Sequence, residues 1–213
     1  CSLKRQDPEL EITKIFISPE SKYVIVNHDM DWNGIRAATA FANAAIRDAL
    51  PVSKSFMDRD DPDLADVRIK MDRIGEDEEI SVVSIGDIDL SACTGVHVME
   101  TSELECIFVT RKVSAGKDGV AIHFEVGGKA VDAAMDLAYT CLEASDAASS
   151  KADLLVRTIT NMKHDLETAN AMMREASGRQ LAALEPYTVG DLKVYSGRFA
   201  ADRKTLTERA EAI

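Results

Sequence analysis

The sequence contains no stretch of about 18 apolar residues, so it has no candidate membrane-spanning helix. No charged start followed by an apolar run marks a secretory signal. The four cysteines, Cys1, Cys93, Cys106 and Cys141, form no Cys-x-x-Cys pair. At this length and without an export signal, free thiols or a single metal-bound thiolate fit better than a disulfide scaffold. Gly127-Gly128 is followed by no Lys-Ser or Lys-Thr, which excludes a phosphate loop. The acidic run Gly75-Glu76-Asp77-Glu78-Glu79 lacks the alternate spacing of a calcium loop and reads as a solvated loop. Basic residues are also in deficit, 25 against 37 acidic, for a net charge of −12. That balance disfavours a general polyanion binder, because like charges repel a phosphate backbone. The expectation is a soluble, cytoplasmic protein.

The chain has 213 residues, 46% of them apolar, enough for a real core. The acid is uneven: residues 58–79 hold ten acidic and four basic residues, whereas 151–184 hold four acidic and five basic. A nucleic-acid-facing surface is therefore compatible with the composition if it avoids the acidic loop. Residues 11–17 (EITKIFI) and 22–27 (KYVIVN) read as two strands joined at Ser18-Pro19-Glu20-Ser21 into a hairpin. Asp31 caps a helix to about residue 49, with Ile35, Ala38, Ala42, Ala45, Ile46 and Ala49 on one face and Pro51 ending it. Residues 52–57 and 80–85 read as strands on either side of the acidic loop. Two further strands, 104–112 and 120–126, close on a turn at 115–119.

The pattern changes at Gly127-Gly128. Residues 129–145 are Ala-rich and helical, 145–150 break the pattern, and a longer helix runs from 152 to about 184, stopped by Glu185-Pro186. On it Leu155, Ile159, Met162, Leu166, Ala169, Met173 and Ala176 step by 4 and 3, the seam of a coiled coil or antiparallel helix pair. This seam predicts a homodimer. Residues 192–195 read as a strand and 201–212 as a helix, too short a piece to hold its own core. The fold class expected is α+β, an antiparallel sheet with packed helices followed by a helical hairpin or coiled coil. The divisions are 1–128, 129–184 and 185–213.

The stretch most informative about chemistry is residues 85–98, IGDIDLSACTGVHV. A strand runs into a tight turn that sets Cys93 and His97 four apart. This is a workable spacing for a soft thiolate and a neutral imidazole on one zinc ion. Gly95 lets the backbone bend sharply enough to aim both inward. By spacing alone the signal is weak, and an ordinary buried cysteine is the plainer reading.

These residues resemble the editing domain of alanyl-tRNA synthetases and the AlaX-type trans-editing proteins. The resemblance is carried by Gly86-Asp87, Asp89-Leu90, Cys93, Gly95, His97 and Val98, and by Thr101-Ser102-Glu103 downstream. The order of elements over residues 3–128 also matches. It implies an editing-type zinc domain over 1–128, then a helical linker over 129–184. The start of a DHH-associated C-terminal domain would occupy 185–213, although the chain has no Asp-His-His run.

The resemblance further implies hydrolysis of serine or glycine esters mischarged onto alanine tRNA. Cys93 and His97 would be zinc ligands and Thr94 a hydroxyl that contacts substrate. The family turn is Cys-Gly-Gly-Thr-His, so Thr94 and Val96 depart from it, and Ala121-Ile122-His123 stands where the family carries an Arg. The family draws two more ligands from a His-x-x-x-His helix about a hundred residues ahead of the Cys, a position just before Cys1. Either this is a fragment or the pair is lost. The alternative on the same fold is a catalytically inactive tRNA-binding or oligomerisation module; a third reading is a phosphoesterase partner.

The other histidines have plainer readings. His28 ends a strand, His123 points opposite to Ile122 and Phe124, and His164 sits mid-helix beside Asp165.

Overall fold

The computed structural model describes residues 2–69, 79–198 and 203–210. It divides into two compact units, residues 1–139 and 140–213. The first opens with α1 (Ser2–Gln6), β1 (Ile12–Ile17), β2 (Lys22–Val26) and α2 (Trp32–Arg47). It continues with β3 (Val52–Met57), β4 (Ile80–Ile85), β5 (Asp89–Ala92), β6 (Ile107–Ser114) and β7 (Val120–Val126). Helix α3 (Gly128–Ala147) runs through the division. The strands form two antiparallel sheets, ordered β1-β2-β7-β6 and β3-β4-β5.

The β1–β2 hairpin turns on Ser18, whose amide donates to Ser21 O at 2.9 Å and whose hydroxyl oxygen accepts from the Glu20 and Ser21 amides. The turn serine thus replaces backbone partners that the tight reversal removes. One face of the four-stranded sheet buries Leu10, Val26, Met30, Ile35 and Ile122 in one cluster, and Ile35 brings α2 onto it. Fully burying a side chain of this size stabilises by about 1.5–3 kcal/mol. Asp31 caps α2, its carboxylate accepting from the Gly34 amide at 2.7 Å. The helix ends at Arg47, before Pro51, because Ala49 turns to φ +49°. Gly119 ends the β6–β7 turn at φ +106°, and a Cβ there would stand 1.9 Å from Val26 O, so only glycine admits this approach of the hairpin to β2.

The three-stranded sheet has its own core of Leu64, Val67, Ile80 and Val82, with Leu64 inserted from a 3₁₀ turn at Pro62–Asp66. Two strand expectations change. Residue 104, expected to open the strand over 104–112, instead ends a 3₁₀ turn at Thr101–Leu104, and β6 begins at Ile107. Residues 89–92, expected as part of the turn, pair with β4 as β5. Most of the acidic run, residues 75–78, lies outside the described residues, as does Cys1.

The second unit holds α4 (Leu155–Ala182), the hairpin of β8 (Tyr187–Val189) with β9 (Leu192–Val194), and α5 (Arg203–Ala210). Strand β8 gives no sequence signal, because a run of three residues carries no alternation worth counting. On α4 Leu155 and Leu181 are buried, whereas Ile159, Met162, Leu166 and Met173 of the seam are exposed. No helix among the described residues is long and apolar enough to cross a membrane.

Candidate metal and substrate site

Strand β4 (ISVVSI) is a short, nearly continuous apolar run, and its first four residues are buried. Its partner β5 delivers the chain to Cys93. There the Cys93 amide donates to Ser81 O at 2.9 Å, and the Ser81 hydroxyl donates to Cys93 O at 2.8 Å. Both backbone polar groups of Cys93 are thereby fixed to β4. Beyond the bend, the Met99 and Glu100 amides donate to one oxygen of Glu103 at 2.7 and 3.2 Å. The Val52 amide donates to Met99 O at 2.9 Å. The loop between is therefore held at both ends while Thr94, Gly95, Val96 and His97 stand exposed.

Gly95 lies between the two candidate ligands. A Cβ at this position would meet Cys93 Sγ at 3.6 Å and His97 Nε2 at 3.9 Å. Thiol and imidazole therefore flank one notch on the same side of the backbone, and a larger residue would fill the space between them. The donor pair, a soft sulfur and an imidazole nitrogen, suits zinc. Among the described residues no group of three or more His, Cys, Asp or Glu is placed to hold a metal, and Cys93 and His97 are the two donors they bring to the notch.

Beside Cys93 a cleft of about 900 Å³ opens between β1 and the three-stranded sheet. Thr13 and Ile15 line one wall, and Ser81, Ser91, Cys93 and Thr94 the other. Arg68, also at the cleft, bridges in parallel to Ser91, with its amide on Leu90 O at 2.9 Å and its guanidinium 2.8 Å from Asp89. Sequence reasoning missed Arg68, since one bridged residue inside an acidic loop leaves no periodic signal.

The other histidines of the first unit lie away from the notch. His28 Nε2 lies 2.7 Å from Asp7 Oδ2, and this hydrogen bond holds the Asp7 carboxyl below its ordinary pKa. His123 packs against Tyr23 with ring centroids 5.1 Å apart. Burial first, and the Arg111 guanidinium second, hold its pKa below the usual histidine value. His164 is exposed on α4, Cys106 directs its thiol to Gly127 O at 3.7 Å, and Cys141 is half-buried.

Residues 80–120, which contain this loop, match the family model described as the threonyl and alanyl tRNA synthetase second additional domain. The chain is 25% identical over 180 residues to the alanyl-tRNA editing protein AlaX-L of Pyrococcus horikoshii, covering 81% of this chain and 44% of that protein. It is 27% identical over 161 residues to an alanine–tRNA ligase of Saccharolobus islandicus, covering 73% of this chain and 18% of that one. An alanine–tRNA ligase of Halorubrum lacusprofundi is 34% identical over 94 residues, or 43% of this chain and 10% of that enzyme. The chain thus spans less than half the length of these relatives. The likenesses support the editing-domain family, and the family model falls on the segment that carries Cys93 and His97.

Proposed function

We propose that this protein is an aminoacyl-tRNA editing hydrolase that removes serine or glycine mischarged onto alanine tRNA, with zinc held by Cys93 and His97. The observation that carries the reading is the Gly95 notch, which sets a thiol and an imidazole on one side of a bend, next to a cleft that Cys93 and Thr94 line. The chemical need is general, because a synthetase pocket rejects a small added or missing group poorly and a second, hydrolytic site must correct the error. When bound, zinc supplies Lewis acidity toward an ester carbonyl or a water molecule. Ser81 fixes Cys93, Glu103 fixes the far end of the loop, and the Thr94 hydroxyl meets the substrate in the cleft. A closed zinc site then needs donors that the described residues do not supply.

That shortage favours a second reading, a catalytically inactive tRNA-binding or oligomerisation module. One experiment separates them: serine release from serine-charged alanine tRNA, measured with metal and after chelation. Metal-dependent release is expected, and no release from metal-loaded protein overturns the hydrolase reading.

A further inference from the structure

Among the described residues strand β3 is an edge of its sheet, and its fifth residue is an aromatic. Phe56 is 61% exposed, whereas Ser81, its partner directly across on β4, is 8% exposed. The register continues from Ser81 to Cys93, whose amide donates to Ser81 O. Residues directly opposed in antiparallel strands share a face. Phe56, Ser81 and Cys93 therefore form one row, the backbones at its two ends about 10 Å, two strand spacings, apart. Lys54 lies two residues back on the same face, opposite Val83, which pairs in turn with Ser91 of the cleft wall. Its ammonium stands 5.6 Å from the centroid of the Phe56 ring.

What distinguishes Phe56 from the other exposed apolar side chains is its company: a cation beside the ring and a register row that leads to Cys93. A flat apolar surface beside a cation matches an unpaired nucleobase and the phosphate next to it. The span along the row is of the order of a nucleoside, from base to the oxygen that bears an ester. The geometry points to Phe56 as the stacking platform for the 3′-terminal base of the RNA whose ester reaches the Cys93–His97 notch, with Lys54 contacting the adjoining phosphate. The identity of the ligand rests on the hydrolase reading; the platform itself rests on the row.

The test uses an unacylated RNA hairpin with a single-stranded 3′ CCA end, its terminal adenine replaced by the fluorescent 2-aminopurine. A second hairpin is abasic at that position. Stacking on Phe56 quenches the fluorophore on binding. Phe56→Thr, which keeps strand propensity, weakens affinity for the first hairpin about tenfold and abolishes the quench, while leaving affinity for the abasic hairpin unchanged. Phe56→Trp restores both. Lys54→Met weakens both hairpins alike and lowers the salt dependence by about one ion. Equal affinity of Phe56→Thr and parent for the first hairpin overturns the proposal, as does equal loss on both hairpins. A changed oligomeric state in Phe56→Thr with unaltered RNA affinity also overturns it and assigns the edge to a protein. Because the probe carries no ester, the platform is tested even in a protein that releases no serine. Serine release with unaltered binding by Phe56→Thr retires the platform alone.

Discussion

Replacing Thr101 by valine should destabilise the first unit by about 2–4 kcal/mol. Thr101 is 5% exposed, and its hydroxyl donates to Ala45 O at 2.6 Å while accepting from the Leu50 amide at 2.9 Å. Ala45 sits in the last turn of α2, where carbonyls lose their intrahelical donors. Ala49, four residues on, turns to φ +49° and gives its amide to Ile46 O instead. Valine keeps the shape of threonine and removes the hydroxyl, leaving a buried acceptor and a half-buried donor unpaired. Each orphaned group costs about 1–3 kcal/mol, the lower end applying to Leu50, which water can reach. The only tryptophan, Trp32, lies on α2, so its fluorescence in a urea titration reports this unit. Thr101→Ser, which retains the hydroxyl, should recover most of the loss. A Thr101→Val variant within about 0.5 kcal/mol of the parent would refute the reasoning.

Two further outcomes follow from the geometry. His123 has a pKa held below its ordinary 6.5, so on acidification the unfolded chain takes the proton first. Stability is then full above pH 6.5 and falls as pH drops through the folded value; His123→Gln should flatten that decline, and an unchanged profile in urea titrations counts against it. Ile159, Met162, Leu166 and Met173 stand exposed at seam spacing on α4, and pairing with a second copy through them predicts that Leu166→Glu converts a dimer to a monomer in light scattering. A parent protein that is already monomeric argues against the seam.

The parts of the fold that were legible in the sequence are those with a strong local signal. The alternation of residues 11–17 and the strand run at 22–27 mark a hairpin, and Asp31 marks the start of α2 as its carboxylate does in the structure. What escaped depends on tertiary partners. Strand β5 is four residues long and exists because β4 offers it a ladder. Thr101 and Glu103 were legible only as matches in a motif; their work, closing α2 and holding Met99, is set by residues far away in the chain or across the loop. Asn43 gave no signal at all, yet its side-chain amide donates to Ile107 O at 2.9 Å and accepts from the Ile107 amide at 2.8 Å, which fixes where β6 starts. In the candidate site, spacing indicated Cys93 and His97, whereas the cleft wall from β1 and the aromatic on β3 are products of strand register.

The claim on which the functional reading depends is that Cys93 and His97 take the same metal ion. Titration with cobalt(II), which replaces zinc and absorbs when bound by thiolate, tests it directly. The parent should show a near-ultraviolet sulfur-to-cobalt band that is lost in Cys93→Ser and weakened, with lower affinity, in His97→Ala. No band in the parent, or a band that survives Cys93→Ser or is indifferent to His97→Ala, would contradict it.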